Sequence, residues 1–254
     1  MYSGFDLSKK VAVLTGSTAG MGFAIARGLA QCGAKVVVSS NTQEDTEEGV
    51  HKLSAEGFEV KGVRCDITRR TDVANFGDQV RDAFGRADIL FCLAAPPAPI
   101  GPTVALVDAE FDGMLVSTVT NNLALMRHFL SDMARRRDGS IVVMSSIASM
   151  RANPMLGGYG VTKAALNGLV RSIAIEWGAY NVRANAIAPA IVRTGFSKPL
   201  WSDAQIEAKY AAKSPANRIA EPADIVGTAI LLASPAGAYI NGQTILIDGG
   251  RSIV

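Results

Sequence analysis

Val11-Ala12-Val13-Leu14-Thr15-Gly16-Ser17-Thr18-Ala19-Gly20-Met21-Gly22 is the stretch that decides the fold. Residues 11–15 carry no charge and read as a strand buried on both faces, as in a parallel sheet covered by helices. A helical pattern follows over 21–31. The glycines between them permit a tight turn and let backbone N–H groups approach a pyrophosphate, and the helix N-terminus adds a favourable dipole. A glycine pattern alone is weak and is also what an ordinary strand–helix turn looks like. The strand before it and the helix after it give it weight.

The same alternation continues along the chain. Further strands are expected at 35–39, 60–65, 88–93, 141–144, 183–187 and 243–247, and further helices at 43–55, 71–84, 109–134, 159–177 and 222–232. Strict β-α alternation with right-handed crossovers predicts an α/β protein. The expected architecture is a Rossmann-type doubly wound parallel sheet of about seven strands, helices on both faces, in one domain over 1–254. The stretch 195–213 reads as irregular and holds Phe196, Leu200 and Trp201 among polar residues, which suggests a substrate lid.

With 254 residues, 48% of them hydrophobic, there is ample material for one large core. The net charge of +2 and the lack of a basic stripe argue against nucleic acid. Arg135-Arg136-Arg137 reads as a solvated helix C-terminus. Cys32, Cys65 and Cys92 form no metal-type pair and suit reduced thiols in a cytoplasmic protein; no metal is expected. No signal-peptide stretch, membrane-spanning run or simple C-terminal targeting tripeptide is seen at Ser252-Ile253-Val254.

Three residues carry chemistry. Lys163 follows Tyr159 by four, so on a helix they share a face, and Ser146 lies just past the strand at 141–144. A phenol beside an ammonium, with a hydroxyl nearby, can move one proton to or from a carbonyl oxygen. Alone, Tyr159 would pass for a helix-face aromatic. Ser146 would pass for a strand-end cap, a role Ser145 could also fill.

Taken together, the chain resembles a classical short-chain dehydrogenase/reductase. The likeness runs from the first strand to the last: Thr-Gly-x-x-x-Gly-x-Gly at 15–22, Asp66, Ser146, Tyr159-Gly160-Val161-Thr162-Lys163, Asn185-Ala186-Ile187-Ala188-Pro189 and Ile247-Asp248-Gly249-Gly250. The resemblance implies that Tyr159 is the general acid/base and that Ser146 holds and polarises the substrate oxygen. Lys163, with an oxidised nicotinamide, would favour the phenolate and bind the nicotinamide ribose. It implies NAD(P)(H) on Gly16, Ser17, Thr18, Gly20, Met21 and Gly22, with Ser40 and Asn41 at the adenosine ribose. Asp66 would meet the adenine edge, and Ile67 and Ala94 would also touch the cofactor. Pro189, Val192 and Thr194 would meet the carboxamide; Asn185 reads as structural. A homotetramer built on the central helix and the Tyr159 helix is implied as well.

Three departures stand out. The family's relay Asn on the central helix aligns with Thr118, with Asn121 one turn on as a partial substitute. The usual Asn-Asn-Ala-Gly after the fourth strand is replaced by Cys92-Leu93-Ala94-Ala95, and Ala190 stands where a Gly usually follows the proline. Ser40 occupies the place of an NAD-selecting acid, while Asn41 and Ala19 lack the basic anchors of NADP enzymes. Donors on Ser40, Asn41 and Thr42 incline the reading to NADP(H). Loops at 96–102, 147–156 and from 195 carry Ile100, Met150, Met155, Leu156, Phe196, Leu200 and Trp201. They suit a small or medium, mainly hydrophobic alcohol or ketone. Arg151 and Arg193 leave room for a carboxylate, with surface solvation the competing reading. The alternatives to an alcohol dehydrogenase or carbonyl reductase are a non-redox, dehalogenase-like enzyme on this scaffold and a cofactor-binding pseudoenzyme.

Overall fold

The strands of the computed structural model, which describes residues 2–254, are β1 (Val11–Thr15), β2 (Lys35–Val38), β3 (Val60–Gly62), β4 (Ile89–Cys92), β5 (Gly139–Met144), β6 (Val182–Pro189) and β7 (Thr244–Ile247). They form one sheet in the order β3-β2-β1-β4-β5-β6-β7, every neighbouring pair parallel. The helices are α1 (Gly20–Gln31), α2 (Gln43–Ala55), α3 (Arg70–Phe84), α4 (Asp108–Leu115), α5 (Asn121–Arg136), α6 (Gly157–Trp177), α7 (Ala204–Ala211) and α8 (Ala223–Ala233). Successive side chains on a strand face opposite ways, so β1 feeds two cores. Val11 and Val13 pack with Phe76 of α3, Leu125 of α5 and Leu166 of α6. Ala12 and Leu14 pack with Ile25 of α1 and Ile225 of α8.

The chain winds outward from β1 to β3, then returns to lay β4 on the other side of β1. The crevice where the order reverses lies between the ends of β1 and β4, the place where a doubly wound sheet binds its ligand. The expected fold stands.

Two local expectations are refined. The central helix runs unbroken over 108–136 and holds a π-helical turn, Val116–Thr120, between α4 and α5. Such turns accommodate an extra residue and are frequent at functional sites. The stretch 195–213 is largely helical, with a 3-10 helix at Gly195–Leu200 and then α7. Its order comes from caps rather than an apolar stripe. Thr194 and Ser197 form a reciprocal capping box, and the Asp203 carboxylate accepts from the Gln205 and Ile206 N–H groups at 2.9 Å each. β3 is shorter than expected, but Val63 and Cys65 still donate to Val38 and Ser40 carbonyls at 3.0 and 2.9 Å.

Candidate active site

The glycine turn is shaped by close approach. Gly16 has φ +62°, and a Cβ there would lie 2.8 Å from the Ala94 Cα. A Cβ on Gly22 would overlap the Gly16 carbonyl oxygen, and one on Gly20 would come within 3.1 Å of Thr194 Cγ2. The turn, the end of β4 and the loop after β6 therefore meet around one cradle. Ala19 caps α1 without a side-chain acceptor, so the first N–H groups of α1 are left for an anion. These features fit a dinucleotide pyrophosphate. Ser17 is fully buried: its hydroxyl donates to the Leu14 carbonyl at 2.8 Å and accepts from Ser39 N–H at 2.9 Å. Its side chain thus shapes the turn. Thr15 takes over bracing from the missing amides, its Oγ1 accepting from Leu93 and Ala94 N–H at 3.2 and 3.4 Å.

At the end of β2, Ser40 Oγ donates weakly to Asn41 Oδ1 and Asp45 Oδ2 at 3.3 and 3.4 Å. Thr42 caps α2 by accepting from Asp45 N–H. Sequence reasoning missed Arg64, which stands two residues before Asp66. Its Nη1 donates to the Asn41 carbonyl at 3.2 Å and its Nη2 lies 2.9 Å from Asp72. The basic group absent from β2 thus arrives from the segment after β3, a contact no local pattern encodes. Asp66 Oδ1 accepts from Thr68 N–H and hydroxyl at 2.9 and 2.7 Å, the turn-capping arrangement. Ile67 is buried.

Ser146, Tyr159 and Lys163 do come together. Ser146 lies two residues past β5, where its Oγ accepts from Ala148 N–H at 3.2 Å. A Cβ on Gly160 would lie 2.7 Å from the Ala148 carbonyl, so α6 seats directly on this loop. Burial pushes the Tyr159 phenol above its ordinary pKa, and the neighbouring Ser146 hydroxyl opposes that rise. Lys163 is buried, and burial pushes its pKa down to about 8. Its Nζ lies 5.5 Å from the Tyr159 ring centroid and donates to the Met144 carbonyl at 2.7 Å.

Thr118 is buried within the π turn. Asn121 is buried, and its Nδ2 donates to the Ile67 carbonyl at 2.7 Å, tying α5 to the loop after β3. Asn122 instead reaches the Thr118 carbonyl at 2.6 Å, and its Oδ1 is buried without a partner. Asn185 is structural, donating to the Ile240 carbonyl at 2.8 Å and accepting from Gln243 N–H at 3.0 Å. Cys65 and Cys92 are buried and free, their thiols pushed up to about 12 chiefly by burial, which makes them poor nucleophiles.

Around the centre, Met150 and Phe196 are largely exposed, while Pro189 and Val192 are buried at the end of β6 and just after it. Trp201 is tied down, its indole N–H donating to the Thr194 carbonyl at 3.1 Å beneath the Arg193 guanidinium. Arg193 is neutralised by Glu207 and Glu221. A cavity of about 250 Å³ extends from Ala190 and Ile191 to Tyr210 and Arg251. A larger polar cleft of about 580 Å³ lies along β3 and α3, lined by Lys61, Arg64, Asp72 and Gln79, away from Tyr159. Among the described residues no helix is long and apolar enough to cross a membrane, and no cluster of His, Cys, Asp or Glu could hold a metal.

Comparison with known proteins agrees with this geometry. The family model described as enoyl-(acyl carrier protein) reductase matches residues 16–252. Dehydrogenase/reductase SDR family member 4 of Bos taurus is 38% identical over 244 residues, 96% of this chain and 88% of the relative. A gluconate 5-dehydrogenase from Burkholderia cenocepacia J2315, solved with NADP and tartrate, superposes with a TM-score of 0.93 at 28% identity, covering 99% of this chain and 98% of that one. A putative NAD(P)-dependent gluconate 5-dehydrogenase from Beutenbergia cavernae with bound NADP at low occupancy gives 0.92 at 31% identity, covering 99% and 100%. The chain belongs to the classical short-chain dehydrogenase/reductase family of oxidoreductases. That family uses NAD(P)(H).

Proposed function

We propose that this protein is an alcohol dehydrogenase or carbonyl reductase acting on a small or medium alcohol/ketone pair in a mainly hydrophobic pocket. One observation carries the reading: the half-buried Tyr159 phenol lies beside the Ser146 hydroxyl with Lys163 on the same helix face, next to a turn whose glycines approach neighbouring backbone closely. The nicotinamide, when bound, supplies or accepts the hydride. Ser146 holds the substrate oxygen and polarises it. Tyr159 donates its proton to that oxygen in reduction and takes one back in oxidation. Burial raises the phenol pKa, so Tyr159 is protonated at neutral pH and set for reduction; oxidation gains as pH rises. Lys163, with its pKa near 8, gains and loses a proton close to neutrality and can recharge the site.

Several finer points belong to the same proposal. Gly16, Thr18, Gly20, Met21 and Gly22 hold the pyrophosphate, Asp66, Ile67 and Ala94 border the adenosine side, and Pro189, Val192 and Thr194 border the nicotinamide. NADP(H) is preferred, supported by Arg64 beside Asn41 and by the NADP in the two gluconate 5-dehydrogenase structures. Residues 195–213 act as the substrate lid with Phe196 and Trp201, and Met150 lines the opposite wall. The protein is cytoplasmic and works as a homo-oligomer, by family expectation a tetramer. Tyr159→Phe tests the core of this reading. Turnover of a ketone panel should fall by about a thousandfold or more while cofactor still binds; retained turnover would remove Tyr159 from the chemistry.

A further inference from the structure

Two arginines, Arg151 and Arg251, meet beside the pocket, the guanidinium of the first on the backbone carbonyl of the second. Arg151 stands one helical turn beyond Ile147, its N–H donating to the Ile147 carbonyl at 2.9 Å, and is therefore carried on the loop that presents Ser146. Its Nη1 donates to the Arg251 carbonyl at 2.6 Å. The Arg251 guanidinium lies 5.9 Å from the Tyr210 ring centroid, on α7. Neither arginine forms an ion pair among the described residues, in contrast to Arg193 and Arg218. Arg251 is held below its usual pKa, first by burial and then by the charge of Arg151, with Tyr210 and Asp248 opposing the fall.

The cavity of about 250 Å³ runs from this corner to the segment just after β6. Ala190 and Ile191, next to Pro189, line one side, and Tyr210, Ser214 and Arg251 line another. Its other charges are already engaged. Arg218 is paired with Asp224, and the Asp248 carboxylate accepts from Gly250 and Ser252 N–H groups at 3.0 and 2.8 Å. Lys213 Nζ also lies 4.7 Å from the Tyr210 ring centroid, so the corner gathers Arg151, Lys213, Arg218 and Arg251 against Asp224 and Asp248, four cations to two anions. An arginine pair with an aromatic hydroxyl is suited to planar, bidentate capture of a carboxylate.

We propose that Arg151, Arg251 and Tyr210 form a carboxylate subsite, so that the substrate is an oxo acid or the matching hydroxy acid. This rests on Ser146, Tyr159 and Lys163 being the carbonyl site. The apolar wall between the two ends then holds the hydrocarbon segment joining carbonyl to carboxylate. Because Tyr210 sits on α7, the carboxylate also links the post-β5 loop, the C-terminal segment and the lid.

The test uses oxo acids of increasing chain length, such as pyruvate, acetoacetate and levulinate, each beside its methyl ester. The subsite predicts that kcat/KM favours at least one acid over its ester by about tenfold or more. Arg251→Gln and Arg151→Gln should each raise KM for that acid about tenfold or more and leave the ester unchanged. A parallel titration of Trp fluorescence with levulinate and with succinate, in wild type and in the double variant, reads anion binding without turnover. Saturable binding lost in the double variant supports the subsite even if no carbonyl is reduced, in which case the redox reading alone fails. Acids and esters turned over alike, or anion binding indifferent to both arginines, would overturn it.

Discussion

Lys163 should destabilise the free protein, and removing its charge should make the fold stronger while ending its activity. The ammonium is buried, and its pKa is depressed from 10.5 to about 8 by burial alone. Between these values the unfolded chain holds a proton that the folded chain releases. The cost of burying the charge is therefore full below pH 8 and fades as pH rises toward 10.5. A shift of this size corresponds to about 3 kcal/mol. Lys163→Met keeps most of the side-chain volume and removes that cost. It also strips the Met144 carbonyl of its 2.7 Å donor, which returns about 1 kcal/mol. The net gain at pH 7 is about 2 kcal/mol, or about 4–8 °C in Tm for a chain of this size. Calorimetric melts of both proteins at pH 7 and pH 10, without nucleotide, measure it. The gap should be wide at pH 7 and close to nothing at pH 10. A variant that melts at or below the wild-type temperature at pH 7, or a gap that does not narrow with pH, would refute the burial argument.

Gly16→Val should fold but fail to bind nucleotide: the new side chain meets Ala94 within 2.8 Å and must adopt φ +62°, so Kd for NADPH should rise by a hundredfold or more, on the order of 3 kcal/mol, by calorimetric titration. Asn121→Ala removes a buried hydrogen bond to Ile67 and should lower stability by about 1–3 kcal/mol, leaving the pH dependence of kcat in place. A moved pH profile would show that Asn121 belongs to the proton path after all. Arg64→Ala should weaken NADPH by about tenfold and spare NADH, since only NADPH carries the 2′-phosphate that Arg64 would meet beside Asn41. Equal losses for both nucleotides would assign Arg64 to loop packing with Asp72.

Local pattern carried most of the fold. β1, the glycine turn and α1 are contiguous, and a buried strand followed by glycines and a helix has few other solutions. Tyr159 and Lys163 were legible because four residues on a helix fix a shared face; Ser146 was legible because it lies just past an apolar strand. What escaped was set by distant or small terms. The π turn at Val116–Thr120 shifts hydrogen bonds by one residue and leaves no mark in hydropathy. α7 buries none of its residues and is announced only by Asp203 as a cap. Thr15 bracing β4 and Arg64 reaching Asn41 join segments far apart in the chain. Arg151 and Arg193 looked alike in sequence. The structure separates them, because Glu207 and Glu221 neutralise Arg193 while the Arg151 guanidinium meets the Arg251 backbone carbonyl and no carboxylate among the described residues.

The most direct test of the account follows a labelled hydride. NADPH and NADH deuterated at the transferring carbon would be incubated with wild-type protein and a panel of ketones and oxo acids, and the products read by mass spectrometry. The account predicts deuterium on the carbinol carbon of at least one product, one equivalent per nucleotide oxidised, and none with Tyr159→Phe. Nucleotide that binds yet transfers no label to any carbonyl, or label transferred equally well without the Tyr159 hydroxyl, would contradict it.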